Sequence, residues 1–274
     1  MNLSNKVLLS SVLILPLTLA LESHANNTEA NAKKGYDIAQ RADQSDLGFS
    51  NSTTDMTMVL NTSNGKSSTR TMHQKTLEVA DPDLGDKSLI VFDTPADVDG
   101  TALLSHAKIL EADDQWLYLP ALKRVKRISS KNKSGPFVGS EFAFEDFTAL
   151  ELNKFTYQYI DEENCPGIEG QLTCDVIERT PRYEHSGYTK QISWIDQSDF
   201  QVRQVEFYDR RGDLLKTLSL EDYRRYDGKY WRTHEMTMVN HKTGKSTILS
   251  YSDYQFGGDV NERDFEKNIL KRIR

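Results

Sequence analysis

Short segments in which apolar and polar residues alternate recur along most of this chain, and they constrain the fold more than any other feature. The first segment, Thr53–Leu60, places Met56, Met58 and Leu60 on one side, and Asn64-Gly65 follows it. Alternation with a period of two is typical of a strand with one buried face, and an Asn-Gly pair after it is a strong hairpin signal. The sequence therefore predicts a β-hairpin at this point of the chain.

Further segments of this kind continue to Phe256, separated by turn residues such as Arg211-Gly212-Asp213 and Asp227-Gly228. Strands that are so numerous and so closely connected must be mostly antiparallel neighbours. We predict a mainly β protein of the α+β type, in which a strongly curved sheet of about 11 strands forms an incomplete antiparallel barrel around an apolar cavity.

Few segments show helical spacing. Thr28–Asp43 has small or apolar residues at intervals of three or four, although Gly35 interrupts it. Gly139–Leu150, with Ser140 as N-cap, and the last segment of the chain, with Asn261 as N-cap, are predicted as further helices. Two or three helices cannot cover so large a sheet, but they can close one end of it as a lid.

The N-terminus has the layout of a secretory signal peptide. A single early cation, Lys6, precedes an apolar run, and Ser23-His24-Ala25 offers a cleavage site after Ala25. We expect residues 1–25 to be removed and residues 26–274 to form a single domain in the periplasm. The formal charge of −7 disfavours nucleic acid as a partner, because phosphates require a basic footprint.

The chain has only two cysteines, Cys165 and Cys174, on either side of a turn that contains Pro166-Gly167. Two nearby cysteines in an oxidising compartment usually pair, so we expect a structural disulfide. Zinc would need further ligands close by, and the spacing typical of a redox pair is absent.

No catalytic constellation is recognisable in the sequence. The nucleophile elbow, the phosphate-binding loop, the dinucleotide fingerprint and the zinc-protease motif are all missing. We expect His234 and the other histidines to be ordinary strand or surface residues, and we predict no catalytic residue, no metal and no cofactor.

Cations are densest at Lys123, Arg124, Lys126 and Arg127, directly after the apolar stretch from Trp116. One interpretation is a solvated strand edge that its lysines and arginines protect from aggregation. The other is a docking lip for an anionic head group or for an acidic patch on a partner. The sequence leaves both open.

Three stretches carry a resemblance to a known family: Asp113–Phe147, Phe207–Leu249 and Asn261–Arg272. Together they resemble the outer-membrane lipoprotein-sorting proteins, a group similar in fold to the periplasmic carrier LolA and its receptor LolB. The resemblance extends from about Gly35 to the C-terminus, and it is most specific between Trp116 and Phe147.

This resemblance implies an incomplete barrel with helices as a lid, which carries acyl chains of lipids or lipoproteins between the inner and outer membranes. Some relatives work beside an inner-membrane RND-type permease, which makes such a permease a candidate partner. We expect transient contacts with membrane proteins and a monomeric carrier. The chain departs from the carrier itself in its greater length and in the Cys165/Cys174 loop.

A carrier of this kind needs an apolar lining on the inner side of the sheet, and Met side chains suit it because they adapt to different ligands. The lid is expected at Gly139–Leu150. The predicted lining consists of Met56, Met58, Leu60, Leu89, Val91, Trp116, Tyr118, Phe142, Phe144 and Phe147.

The sequence leaves two other functions open. The protein could be an accessory subunit that docks on a transporter or envelope complex without carrying lipid, or an enzyme acting on envelope lipid or glycan.

Overall fold

A computed structural model describes residues 18–81, 83–167 and 172–273. It opens with one α-helix, α1 (Thr18–Asp46), which confirms the helix predicted at Thr28–Asp43 and extends it at both ends. Most of the predicted signal peptide lies outside the described residues. No helix in the described part of the chain has the length and apolarity needed to cross a membrane.

Thirteen strands follow the helix and form one sheet in which all neighbours are antiparallel. The first six are β1 (Asn51–Asn61), β2 (Ser67–Leu77), β3 (Lys87–Thr94), β4 (Ala102–His106), β5 (Asp114–Leu119) and β6 (Arg124–Arg127). The other seven are β7 (Phe155–Asn164), β8 (Thr173–Pro181), β9 (Tyr188–Asp196), β10 (Val202–Asp209), β11 (Leu214–Tyr226), β12 (Tyr230–Asn240) and β13 (Ser246–Phe256).

The sheet runs from β6 through β1 to β13 and on to β7, so β6 and β7 are its two free edges. It is curved and unclosed, which confirms the predicted incomplete barrel. The alternation of the sequence identifies the strands well because most of them bury one face more than the other. Strand β6, in which three of the four residues are charged, agrees with the solvated strand edge that is one of the two interpretations of these cations.

The inner face of the sheet is covered at one end by the connection between β6 and β7, residues 128–154, which we call the plug segment. Phe137 of this segment is fully buried against Phe92 of β3, with ring centroids 5.6 Å apart. The predicted helix at Gly139–Leu150 is wrong. The segment instead makes short 3-10 turns, and Val138 and Gly139 adopt left-handed backbone angles that an α-helix cannot contain.

Helix α1 packs on the same inner face, over β7 and β8. Ile38 is buried between Phe155 and Ile177 of these two strands. A Cβ atom added at Gly35 would lie 2.8 Å from the backbone of Gln158, so the helix can approach β7 this closely only with glycine here. Gly35 therefore interrupts the helical pattern of the sequence because the contact between α1 and β7 requires a glycine at this position.

After β13 the chain crosses the outer face of β2 to β6, and we call residues 257–273 the C-terminal segment. Phe265 and Leu270 are fully buried against Leu89 and Leu104 of the sheet. Asn261 caps the first turn as predicted, by accepting a hydrogen bond from the Arg263 amide. However, the segment forms two 3-10 turns, not an α-helix.

Cys165 and Cys174 form the predicted disulfide, which links the end of β7 to the start of β8. Both cysteines are buried on the outer face, together with Val176 and Trp194. The bridge therefore belongs to a small apolar cluster of its own.

Candidate functional site: the inner face and its plug

The structure divides the ten predicted lining residues between the two faces of the sheet. Six of them belong to the inner-face cluster, buried or partly buried: Met56, Met58, Leu60, Phe142, Phe144 and Phe147. The other four belong to the outer-face cluster beneath the C-terminal segment: Leu89, Val91, Trp116 and Tyr118. The ten residues therefore do not form one surface.

In β3 and β5, the residues that face inward lie one position away from those that were predicted to line the cavity. Phe92 is paired with Met72, whereas Val91 is paired with the outward-facing His73. In β5, Leu117 lies opposite Leu103 of the inner-face cluster, whereas Tyr118 lies opposite Ala102 of the outer one. Because side chains alternate along a strand, this shift exchanges the two faces.

The inner face also carries a band of partly exposed apolar residues that are not among the ten predicted lining residues. Leu220 of β11 is paired with Met236 of β12, which is paired with the buried Leu249 of β13. Tyr251 extends the band toward Met56 of β1. We call the partly exposed members of this surface the inner band: Leu218, Leu220, Met236 and Tyr251. Alternation in β11 and β12 could have identified them, as it identified Met56 and Met58.

The plug segment fills the end of the inner face next to this band. Phe137 contacts Phe144 and Phe147, with ring centroids 5.7 and 4.4 Å apart. Phe147 in turn lies 5.5 Å from Phe142. The expected apolar cavity is therefore partly occupied by the protein's own aromatic side chains.

Two adjacent carboxylates, Glu145 and the largely buried Asp146, hold the plug segment in place. Asp146 accepts hydrogen bonds from Lys216 Nζ at 2.7 Å and from the Tyr188 hydroxyl at 2.8 Å. Glu145 accepts hydrogen bonds from the Ser186 hydroxyl and from the Gly187 amide, each at 2.8 Å. Burial, together with the neighbouring Asp146, raises the pKa of Glu145 above its usual value.

Both ends of the plug segment are fixed to one residue, Asp113, in the connection before β5. Lys154 pairs with the Asp113 carboxylate, and Lys133 donates to the Asp113 carbonyl. All three side chains are buried. Such contacts are expensive to break because they would leave charges without partners in the interior. The plug segment is thus a wall of the site and not a loose flap.

Beyond the inner band the sheet opens. Pairing between β12 and β13 ends at Glu235 and Ser250, and the imidazole of His234 lies between the two strands. His234 Nδ1 donates to the Tyr251 carbonyl at 2.7 Å, and Nε2 accepts from the Tyr226 hydroxyl at 2.8 Å. Both ring nitrogens of His234 therefore have a hydrogen-bond partner.

A polar hollow of about 420 Å³ lies at this opening. Its lining includes Asp222 and Asp253, which both have positive φ angles. Among the residues that the structure describes, no group of three or more His, Cys, Asp or Glu side chains could hold a metal ion.

The four cations of the predicted docking lip are all exposed at the surface, but one of them has an acidic partner. Arg127 forms an ion pair with Asp114. Within the described ranges, Lys123, Arg124 and Lys126 form no ion pair, and all three are exposed. A second hollow, of about 720 Å³, lies between Lys123 and the C-terminal segment.

An unclosed antiparallel barrel with an apolar inner face is the fold of LolA-like proteins, and comparisons with known proteins agree with this fold. A family model described as an uncharacterized protein matches residues 85–272. No curated protein matches the chain.

The comparison with solved structures is more informative. A putative outer membrane lipoprotein-sorting protein domain from Vibrio parahaemolyticus is 51% identical with a TM-score of 0.84, and the match covers 88% of this chain and 100% of that domain. A DUF1329 family protein from Desulfovibrio piger is 31% identical with a TM-score of 0.81, covering 88% and 99% of the two chains.

A LolA superfamily protein from Nitrosomonas europaea shares the fold at 22% identity, with a TM-score of 0.66 over 85% of this chain and 97% of that one. The chain belongs to the same family as the outer membrane lipoprotein-sorting domain and the DUF1329 protein, and it shares the LolA-like fold.

Proposed function

We propose that this protein is a periplasmic carrier that shields the acyl chains of a lipid or a lipid-modified protein against its inner face. The observation that carries the proposal is the inner band, in which Leu218, Leu220, Met236 and Tyr251 remain partly exposed in the folded protein. A folded domain normally buries a contiguous apolar surface of this kind or uses it for binding.

The energetics of transfer explain why such a surface is useful. Each methylene group exposed to water costs about 0.8 kcal/mol, so an acyl chain of about sixteen carbons would lose on the order of 10 kcal/mol if it crossed an aqueous compartment unshielded. Partly exposed side chains beside the plug segment can cover part of such a chain. The remaining exposure keeps binding weak enough for release.

The sequence and its resemblance support the proposed location and partner. The signal-peptide layout of residues 1–25 supports export to the periplasm, and the similarity to a lipoprotein-sorting domain supports transfer between the inner and outer membranes. An RND-type permease is the candidate inner-membrane partner. We expect a monomer without enzymatic turnover.

The plug segment favours a second candidate function. Because Phe137, Phe142 and Phe147 already occupy part of the inner face, the protein could act as an accessory subunit that docks on a transporter or envelope complex without carrying lipid. In that case the inner band would contact a segment of the partner.

Native mass spectrometry of the gently purified protein tests the proposal. Reproducible lipid adducts, removed by detergent and restored by added lipid, support the carrier. An interior without lipid, together with a stable protein partner, supports the accessory subunit. Turnover of added envelope lipid or glycan would contradict both.

A further inference from the structure

Unpaired cations cluster where edge strand β6 meets the C-terminal segment. Lys123, Arg124, Lys267 and Lys271 line one hollow, and Lys126 and Arg272 lie next to them along the chain. We call these six residues the cationic patch. All six are exposed, and within the described part of the chain none of them forms an ion pair. The hollow between Lys123 and Lys271 is also lined by one acidic residue, Glu266.

This concentration of positive charge stands out in a chain with a net charge of −7. Protection of the β6 edge explains cations on β6 itself. It does not explain Lys271, because the C-terminal segment crosses the outer face of the sheet and is not an edge. Lys267 lies on the same segment, with its ammonium 5.9 Å from the centre of the Trp116 ring and without an ion pair. Cations gathered from two separate elements indicate a surface that attracts an anionic partner.

Exposed apolar groups accompany the charges. The Leu122 side chain is 63% exposed at the tip of the turn before β6, where Lys123 has a left-handed backbone. Val125 lines the hollow together with the cations. Apolar side chains surrounded by lysine and arginine match the interface of an anionic bilayer, where the charges meet phosphates and the apolar groups meet the acyl boundary.

An acidic peptide is less well matched by this surface. A peptide that adds a strand to a sheet edge gains most of its affinity from backbone hydrogen bonds. Strand β6 has four residues and so offers few such bonds. The cations of the C-terminal segment would also lie off the line of an added strand.

We propose that the cationic patch docks the protein on the anionic phospholipid surface of a membrane. The inference rests on the proposed function, because a carrier must meet a membrane to collect or deliver its cargo. It adds to that function a named surface, an orientation with β6 toward the bilayer, and a lipid class.

Vesicle sedimentation tests the proposal. The wild-type protein should bind vesicles that contain phosphatidylglycerol at low ionic strength, should not bind pure phosphatidylcholine vesicles, and should be released as salt rises toward about 0.5 M. Lys267→Glu with Lys271→Glu should weaken binding about tenfold or more.

A matched control has Lys66→Glu with Lys245→Glu, two exposed cations in hairpin turns away from β6. Each double variant lowers the net charge by four, from −7 to −11. The control should bind nearly as well as the wild type. Leu122→Ser, which keeps every charge, should weaken binding to anionic vesicles and leave the unfolding midpoint unchanged.

Equal loss of binding in the two double variants would overturn the proposal, as would equal binding to neutral vesicles. Capture of soluble poly-glutamate, without vesicle binding, would assign the patch to an acidic peptide instead. The carrier function and the membrane-docking surface can be rejected independently. Lipid adducts without vesicle binding would overturn only the docking surface. Vesicle binding without adducts would overturn only the carrier.

Discussion

Lys216 on β11 and Asp146 in the plug segment form a buried ion pair, with Nζ and Oδ2 2.7 Å apart and side chains only 4% and 8% exposed. The pair joins two parts of the chain that are 70 residues apart in sequence. It fixes the plug segment to the inner face at the level of the aromatic cluster.

Removing one member of this pair should destabilise the fold strongly. Asp146→Asn leaves the Lys216 ammonium buried without a counter-charge, and we expect a loss of about 3 to 5 kcal/mol in the free energy of unfolding, measured by urea denaturation. Asp222→Asn is the control, because Asp222 and Arg224 form an exposed pair whose loss should change the free energy of unfolding much less. Equal losses in the two variants would show that the plug segment is not held by this pair.

Lipid retention should depend on the inner face of β12 and not on its outer face. Met236→Glu places a charge in the inner band, so we expect most lipid adducts to disappear from the native mass spectrum. Val239→Glu changes the same strand on the opposite face, where Val239 is 38% exposed, and should leave the adducts in place. Leu220→Gln repeats the test with a milder change, and circular dichroism checks that each variant is folded. Unchanged adducts in both inner-face variants would exclude the inner band as the binding surface.

Stability should fall as the pH rises from about 4.5 to about 7. Burial raises the pKa of Glu151 from 4.5 to about 7, and it raises the pKa of Asp86 from 3.8 to about 6. The folded state therefore binds more protons than the unfolded state across this range, and unfolding becomes easier as the protons leave. Because both groups are partly exposed, we expect each to contribute on the order of 1 kcal/mol.

Glu151→Gln isolates the contribution of one group. The Asp86 amide donates to Glu151 Oε1 at 3.2 Å, and a glutamine oxygen can still accept this bond. We expect a flatter stability profile between pH 4.5 and pH 7 for this variant in chemical denaturation. A slope identical to that of the wild type would mean that Glu151 titrates normally in the folded protein.

Loss of the disulfide should weaken the fold moderately. Replacing both Cys165 and Cys174 with serine frees a short loop, for which chain entropy predicts a loss of about 2 to 3 kcal/mol. The comparison of reduced wild type, oxidised wild type and the double variant by thermal unfolding measures it. Because the bridge lies on the outer face, lipid adducts should persist below the melting transition. Their loss at low temperature would indicate that the bridge supports the binding surface.

The architecture was predictable because most strands carry a clear alternation. The assignment of faces failed where both faces are apolar. In Lys87–Thr94, the four central residues Leu89, Ile90, Val91 and Phe92 are all buried, because the plug segment covers one side and the C-terminal segment covers the other. A continuous apolar run carries no information on which residue faces inward.

The plug segment could not be predicted for a different reason. Its aromatic residues suggested an amphipathic helix, but Glu145 and Asp146 are directed into the interior, toward Ser186 and Lys216. These partners are separated from the plug segment by tens of residues, and local spacing does not reveal them. The conformation of the plug segment is therefore determined by hydrogen bonds to distant residues and not by the helix propensity of its own sequence.

The C-terminal segment has a consequence for biogenesis. Phe265 and Leu270, which cover the outer face of β3 and β4, follow every strand in the sequence. During synthesis, strands β1 to β6 emerge before this cover is available. The apolar outer face of β3 and β4 is then exposed to water. We therefore expect a chaperone of the holdase type to accompany the chain until those two residues have arrived.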